Sequence, residues 1–237
     1  MIKKILRKIL PDIVRARYLA PYLVNYKNTK KKYYAKSGAH TQLFGPLTLE
    51  PQNVELDDYT RLQPGVRVIS AGGKLVVKKF SAVGAGTTII AGEHVPTVGV
   101  PQFMSTLHIN DIKTTVVIEE DAWVGAECIL LSHSRVGRGA VVAAGSVVTK
   151  PVPPYAVVAG SPAKVIAVRF SMEQVLAHEA VLYSPTERMS AEELKSLFDN
   201  EYKGLKTLGT SEISEEDRCE LDNCKKLLGI KNYENCK

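Results

Sequence analysis

Between Ile118 and Val148 one aliphatic side chain returns every six residues: Ile118, Val124, Leu130, Val136, Val142 and Val148. Four positions after each of the first five stands a small residue: Ala122, Cys128, Ser134, Ala140 and Ser146. This period is neither the 3.6 of a helix nor the alternation of a half-buried strand. It predicts a β-helix, a coil of short parallel strands in which each six-residue unit forms one side of a turn. The aliphatic row would line the interior, with the small residues fitting beside it where larger side chains would crowd the stack.

Upstream the same rhythm is imperfect. Leu56, Leu62 and Val68 are six apart, with Thr60 and Val66 in the small slot. Ser70 to Gly73 then inserts extra residues, after which Val77, Val83 and Ile89 resume the period, followed by Ser81 and Thr87. From Ile89 to the next anchor, Ile118, is 29 residues, which is not a multiple of six. An excursion at 93–115 therefore interrupts the coil, carrying His94, Pro101, Phe103, Met104, His108 and Asn110. Long non-repetitive loops on a rigid scaffold are where chemistry is usually placed. The active site is expected there.

Three regions follow: a basic helical segment at 1–46, the coil at 47–168, and a helical extension at 169–237. In residues 1–36 eleven Lys and Arg face the single Asp12, and Ile2, Ile5, Leu6 and Ile9 have helical spacing. That pattern fits either helices capping the first coil, which a solenoid needs, or an amphipathic anchor on anionic lipid. Pro11 and Pro21 mark helix starts or stops. After Val148, Pro151, Pro153 and Pro154 end the repeats, and Tyr155–Ala159 can add one more strand. Ser171-Met172-Glu173-Gln174 and Ser190-Ala191-Glu192-Glu193 carry helix-capping patterns. A further short helix is predicted at Glu215–Leu228.

The net charge of +6 permits an anionic partner, yet no nucleic-acid-binding signature accompanies it. Nucleic acid is not expected. Cys128, Cys219, Cys224 and Cys236 lack the paired spacing of a zinc centre, so no metal is predicted. Reduced thiols and the lack of a bilayer-length apolar run or secretory pattern point to a cytoplasmic protein.

The segments Asp121-Ala122-Trp123-Val124-Gly125, Ala144-Gly145-Ser146-Val147-Val148-Thr149-Lys150, Pro153-Pro154-Tyr155-Ala156 and Ala159-Gly160-Ser161-Pro162-Ala163-Lys164 resemble the hexapeptide-repeat acetyltransferases. The likeness covers roughly residues 50–170 and is greatest to the sugar and xenobiotic O-acetyltransferases. It implies a mainly β protein built on a left-handed parallel β-helix, a homotrimer, and acetyl-CoA as acyl donor in the groove between subunits. The hand comes only from the resemblance, since general crossover rules favour the opposite one.

The same resemblance assigns roles. The histidine that ends a coil before the excursion is the catalytic base in that family, and His94 stands there, with His108 as runner-up. An imidazole titrates near neutral pH and suits removal of a hydroxyl proton during acyl transfer. The oxyanion would be met by backbone N–H groups of a coil turn. Glu93 replaces the usual Asn or Thr; it would orient the imidazole, bind an acceptor hydroxyl, or face solvent. His108 is the other acceptor-contact candidate. Ala126 and Ala144 match pantetheine-channel positions, Thr149 and Lys150 the nucleotide end, and Lys164 a phosphate-facing base. Ala167 leaves that clamp incomplete, with Arg169 or Lys150 to compensate. His133 reads as a surface residue, His178 as a packing or capping residue, His40 carries no motif, and Trp123 is expected to pack.

The implied activity is O-acetylation of a sugar or cell-surface polysaccharide precursor. Its alternatives are antibiotic O-acetylation, amino-sugar N-acetylation and a non-catalytic scaffold.

Overall fold

The computed structural model describes residues 20–70 and 72–227. Three flat sheets form the walls of a prism, and the chain visits them in rotation. Sheet A takes β1 (Lys36–Ser37), β3 (Val54–Leu56), β6 (Lys74–Val77), β9 (Thr115–Ile118) and β12 (Arg135–Val136). Sheet B takes β2 (Gln42–Leu43), β4 (Arg61–Leu62), β7 (Ala82–Val83), β10 (Trp123–Val124), β13 (Val141–Val142), β15 (Ala156–Ala159) and β16 (Lys164–Val168). Sheet C takes β5 (Arg67–Ser70), β8 (Thr88–Ala91), β11 (Ile129–Leu130) and β14 (Val147–Val148). All neighbours pair in parallel except β15 with β16.

The register stacks the six-residue anchors on one another. Val83, Val124, Val142 and Val158 form one column, and Leu56, Val77, Ile118 and Val136 another. These side chains are 0–3 % exposed. A full turn takes eighteen residues from Ile118 to Val136 but forty-one from Val77 to Ile118. The excursion thus adds twenty-three residues to one turn without disturbing the stack.

The corners explain the small slot. Three residues after nine of the anchors the backbone turns through positive φ, at Tyr59, Gly65, Phe80, Gly86, Asp121, Glu127, His133, Gly139 and Gly145. The next residue then points inward at the corner, where little space remains. Its hydroxyl, where present, donates to a backbone carbonyl: Thr87 Oγ1 to Gly125 O at 3.0 Å, Ser134 Oγ to Val148 O at 3.1 Å, Ser146 Oγ to Ala143 O at 2.6 Å. Buried polar groups are thereby satisfied. Gly125 is fixed by close approach, since a Cβ there would stand 2.7 Å from Ala144 N. Trp123, expected to pack, is 58 % exposed. It precedes inward-facing Val124, and strand alternation turns it to the outer face of sheet B.

Sheets A and B already begin at Lys36 and Gln42, within the segment assigned by sequence to the N-terminal region. Helix α1 (Ala20–Asn28), with Pro21 in its first turn, leans on this first coil. Buried Asn28 donates to Leu47 O at 2.8 Å, and Tyr34 Oη donates to Asn28 O. The predicted helix at Ile2–Leu10 lies outside the described residues. No helix among the described residues is long and apolar enough to cross a membrane.

Beyond the coil, α2 (Met172–Leu182) and α3 (Ala191–Glu201) begin at Ser171 and Ser190, each with a complete capping box. Buried Glu179 of α2 ties this extension to the coil, accepting from Tyr155 Oη at 2.9 Å, Met189 N at 2.6 Å and Arg138 Nη1 at 3.4 Å. Helix α4 (Glu215–Leu227) follows.

Candidate active site

Strand β8 ends sheet C at Ala91, and the chain leaves the prism through Gly92, whose φ is +137°. Ser132, on the next coil, fixes this exit by donating from Oγ to Gly92 O at 2.9 Å. The excursion then closes on itself through a two-way backbone bridge. Glu93 N donates to Ile112 O at 3.0 Å, and Ile112 N to Glu93 O at 2.9 Å. Their chain neighbours, His94 and Asp111, are brought side by side as a result.

His94 Nδ1 lies 2.9 Å from Asp111 Oδ1, and His108 Nδ1 lies 2.6 Å from Asp111 Oδ2. One carboxylate holds two imidazoles whose ring centroids are 5.5 Å apart. His108 is placed by its φ of +52°, which ends the 3-10 turn Gln102–Leu107. The Asp111 side chain is 8 % exposed, against 40 % for His94 and 62 % for His108. The acid forms the floor and the imidazoles the rim. The hydrogen bond with His108, reinforced by that with His94, holds the Asp111 carboxyl below the usual carboxylate range. With Nδ1–H donated to a carboxylate, the Nε2 lone pair of each ring is free to accept a proton.

Asp111 was not singled out by sequence reasoning, although it is the one acid between Glu93 and Glu119 and stands three residues after His108. Its carboxylate, not that of Glu93, lies against the His94 ring. The Glu93 carboxylate is turned instead toward His133, 3.9 Å from its Nε2. His133 is exposed at a coil corner, as expected of a surface residue. A narrow cleft beside His94 and Asp111 is lined by Val95, Val100, Met104 and Ile109 among others.

Thr149 and Lys150 leave sheet C at the edge where Gly92 leaves it, with the Ser132–His133 corner between them. Ala126 and Ala144 lie exposed at the opposite edge of sheet C, adjoining through Gly145 N to Ala126 O at 2.9 Å. Lys164 is exposed at the start of β16, where Ala163 N donates to Val147 O at 2.8 Å. The candidate residues thus frame one wall of the prism. Arg169 does not join them. Its Nη1 lies 2.7 Å from Asp121 Oδ2, 2.9 Å from Asp121 O and 3.1 Å from Gly139 O, which ties Arg169 to that corner of the coil rather than to the other candidates. His178 packs against the same Asp121, with Nε2 2.8 Å from Oδ2. His40 stacks on Tyr59 with centroids 4.7 Å apart.

Residues 115–150 match the family described as bacterial transferase hexapeptide (six repeats). That stretch carries hexapeptide repeats. A chloramphenicol acetyltransferase of Klebsiella aerogenes is 35% identical to it over 115 residues, covering 43% of this chain and 55% of the relative. A 2,3,4,5-tetrahydropyridine-2,6-dicarboxylate N-acetyltransferase of Staphylococcus aureus (strain JH9) is 59% identical over 51 residues, covering 22% of this chain and 21% of the relative. Among solved structures, a hexapeptide-repeat acetyltransferase of Vibrio cholerae O1 biovar eltor, complexed with acetyl coenzyme A, superposes with a TM-score of 0.53 at 20% identity. That match covers 70% of this chain and 97% of the other. The chain spans about half the length of the chloramphenicol acetyltransferase it matches.

Proposed function

We propose that the protein transfers acetyl from acetyl-CoA to a hydroxyl group of a sugar or of a cell-surface polysaccharide precursor. The observation that carries this reading is the His94 imidazole held through Nδ1 by Asp111 at the exit of sheet C. Nε2 of His94 takes the acceptor's hydroxyl proton as its oxygen attacks the thioester carbonyl. Collapse of the tetrahedral species breaks the carbon–sulfur bond, and the CoA thiolate leaves with the proton returned by His94. Ala126 and Ala144 allow close approach of the pantetheine arm, and Thr149, Lys150 and Lys164 receive the nucleotide and its phosphates. The resemblance to chains that bind this donor supports the assignment, as does the framing of one wall by these residues.

The same reading includes a left-handed coil, a trimer with the donor groove between subunits, and work on the cytoplasmic side of a membrane. The basic N-terminal segment supports the last, through attraction to anionic lipid. Chloramphenicol-type acceptors form a second reading, supported by the 35% identity to a chloramphenicol acetyltransferase over 115 residues.

The test is CoA release from acetyl-CoA with a panel of saccharides and with chloramphenicol, followed by mass spectrometry of the product. Acetylated saccharide is expected. Product from chloramphenicol alone would favour the second reading, and an N-acetyl product would replace both. A purified protein that neither binds acetyl-CoA nor hydrolyses it slowly would overturn the enzyme assignment.

A further inference from the structure

Two imidazoles converging on one carboxylate form an unusual arrangement for a base that needs only one orienting partner. His94, His108 and Asp111 each offer a ligand atom, and the three atoms lie within 4.8 Å of one another. Their backbone is already fixed by the Glu93–Ile112 bridge and by the 3-10 turn that ends at His108. A metal would therefore find its ligands assembled, without the ordering cost that weakens sites on loose loops. The carboxylate is on the floor and both rings are open to solvent. Water can then fill a remaining coordination position.

We propose that His94, His108 and Asp111 form a binding site for a divalent transition-metal ion of the zinc type. The donor set is two neutral imidazoles and one carboxylate, the combination zinc accepts in open sites with three protein ligands and water. Ligand atoms around a tetrahedral zinc stand roughly 3.3 Å apart when each bond is near 2.0 Å. The present separations, 2.9 Å from His94 Nδ1 to Asp111 Oδ1 and 2.6 Å from His108 Nδ1 to Oδ2, require the imidazoles to withdraw by about 0.4 and 0.7 Å, within reach of χ adjustments of the two exposed rings and a turn of the carboxylate. Calcium and magnesium prefer all-oxygen ligands and are not expected here. The sequence hides this site, because spacings of fourteen and three residues between the ligands match no familiar metal motif.

Occupation has a consequence that rests on the proposed transferase reading. A metal engaging His94, at either ring nitrogen, removes the Asp111 hydrogen bond or the free lone pair, and the base is lost. Zinc is then an inhibitor of acetyl transfer and its removal a reactivation.

Binding is tested without reference to activity. Co2+ is titrated into the full chain carrying Cys219→Ser, Cys224→Ser and Cys236→Ser, so that thiolates do not compete, and visible ligand-field absorption is recorded. One equivalent is expected to bind and to be displaced by Zn2+. The absorption should disappear in His108→Ala and in Asp111→Ala, and persist in His133→Ala, whose ring is near the site but outside the donor set. No absorption at micromolar protein and metal, or equal absorption in His108→Ala, overturns the site. Circular dichroism of each variant guards against loss of fold. In the second arm, saturating Zn2+ should slow CoA release roughly 10²- to 10⁴-fold, the contribution of a lost general base, and chelation should restore it. Co2+ binding with undiminished CoA release in Zn2+ would overturn the inhibition. Co2+ binding by a protein with no transfer activity would sink the transferase reading while leaving the metal site standing.

Discussion

The regular coils and the excursion are made of the same chain but obey opposite rules. In the coils every sixth side chain is buried to within a few per cent, and the corner residue behind it is buried too. From Glu93 to Lys113 no residue as a whole is buried, although the Asp111 side chain is only 8 % exposed. The coil is held by apolar columns and by hydrogen bonds between successive turns. The excursion is held by one backbone bridge, short 3-10 structure and a shared carboxylate. Stability and the proposed chemistry are thus placed in separate segments. A change in one should leave the other nearly intact.

The largest effect expected is on catalysis. His94→Ala removes the proposed base and should lower the transfer rate by roughly 10²- to 10⁴-fold. The ring is 40 % exposed, so the unfolding free energy should change by no more than about 0.5 kcal/mol. An enzyme of undiminished rate, or one that unfolds, would break the separation. The converse substitution is Leu130→Ala, in the sheet C column between Ile89 and Val148. Its side chain is 0 % exposed, and truncation leaves a cavity costing about 2–5 kcal/mol. Urea unfolding should show this loss, while CoA release below the transition stays near the native rate.

Asp111→Asn sharpens the comparison within the excursion. An amide can accept from only one imidazole through its oxygen and presents N–H donors to the other. The rings lose their common orientation, and misplacement of a base by about 1 Å is worth on the order of 10²-fold in rate. The expected signature is a fall in kcat with little change in KM for acetyl-CoA, whose proposed contacts lie along sheet C. A raised KM with unchanged kcat would assign Asp111 to binding instead.

What sequence could reveal follows the same division. Anchors and small slots were legible because each is repeated, so errors at one coil are corrected by the others. Ser171 and Ser190 were legible as helix starts because a capping box is local chemistry. The first coil was not: Leu43 and Leu49 keep the six-residue spacing, but the position six before Leu43 is Ser37, a polar residue that hides the start of the row. Nor were the positive-φ corners, since Tyr59, Phe80 and Glu127 show none of the glycine preference that such a backbone usually imposes. Asp111 was missed for a different reason. Its partners are met through a loop whose closure depends on the Glu93–Ile112 bridge, and a non-repeating segment does not announce its contacts.

The smallest predicted effect tests the idea of repetition itself. Ser134 is 1 % exposed and donates to Val148 O at 3.1 Å, so its loss leaves that carbonyl short of one partner. On hydrogen bonding alone the substitution Ser134→Ala costs about 0.5–1.5 kcal/mol. Yet Ala122 and Ala140 occupy the equivalent corner in neighbouring units and are buried to within 2 %. The corner therefore accepts alanine sterically, and no cavity term beyond one oxygen atom should be added. A loss near the lower end of that range is expected from urea unfolding. A loss above about 3 kcal/mol, the upper limit for one unsatisfied buried group, would mean that the corners are individually tailored rather than interchangeable. The coil would then share with the excursion the property that each residue matters for its own sake.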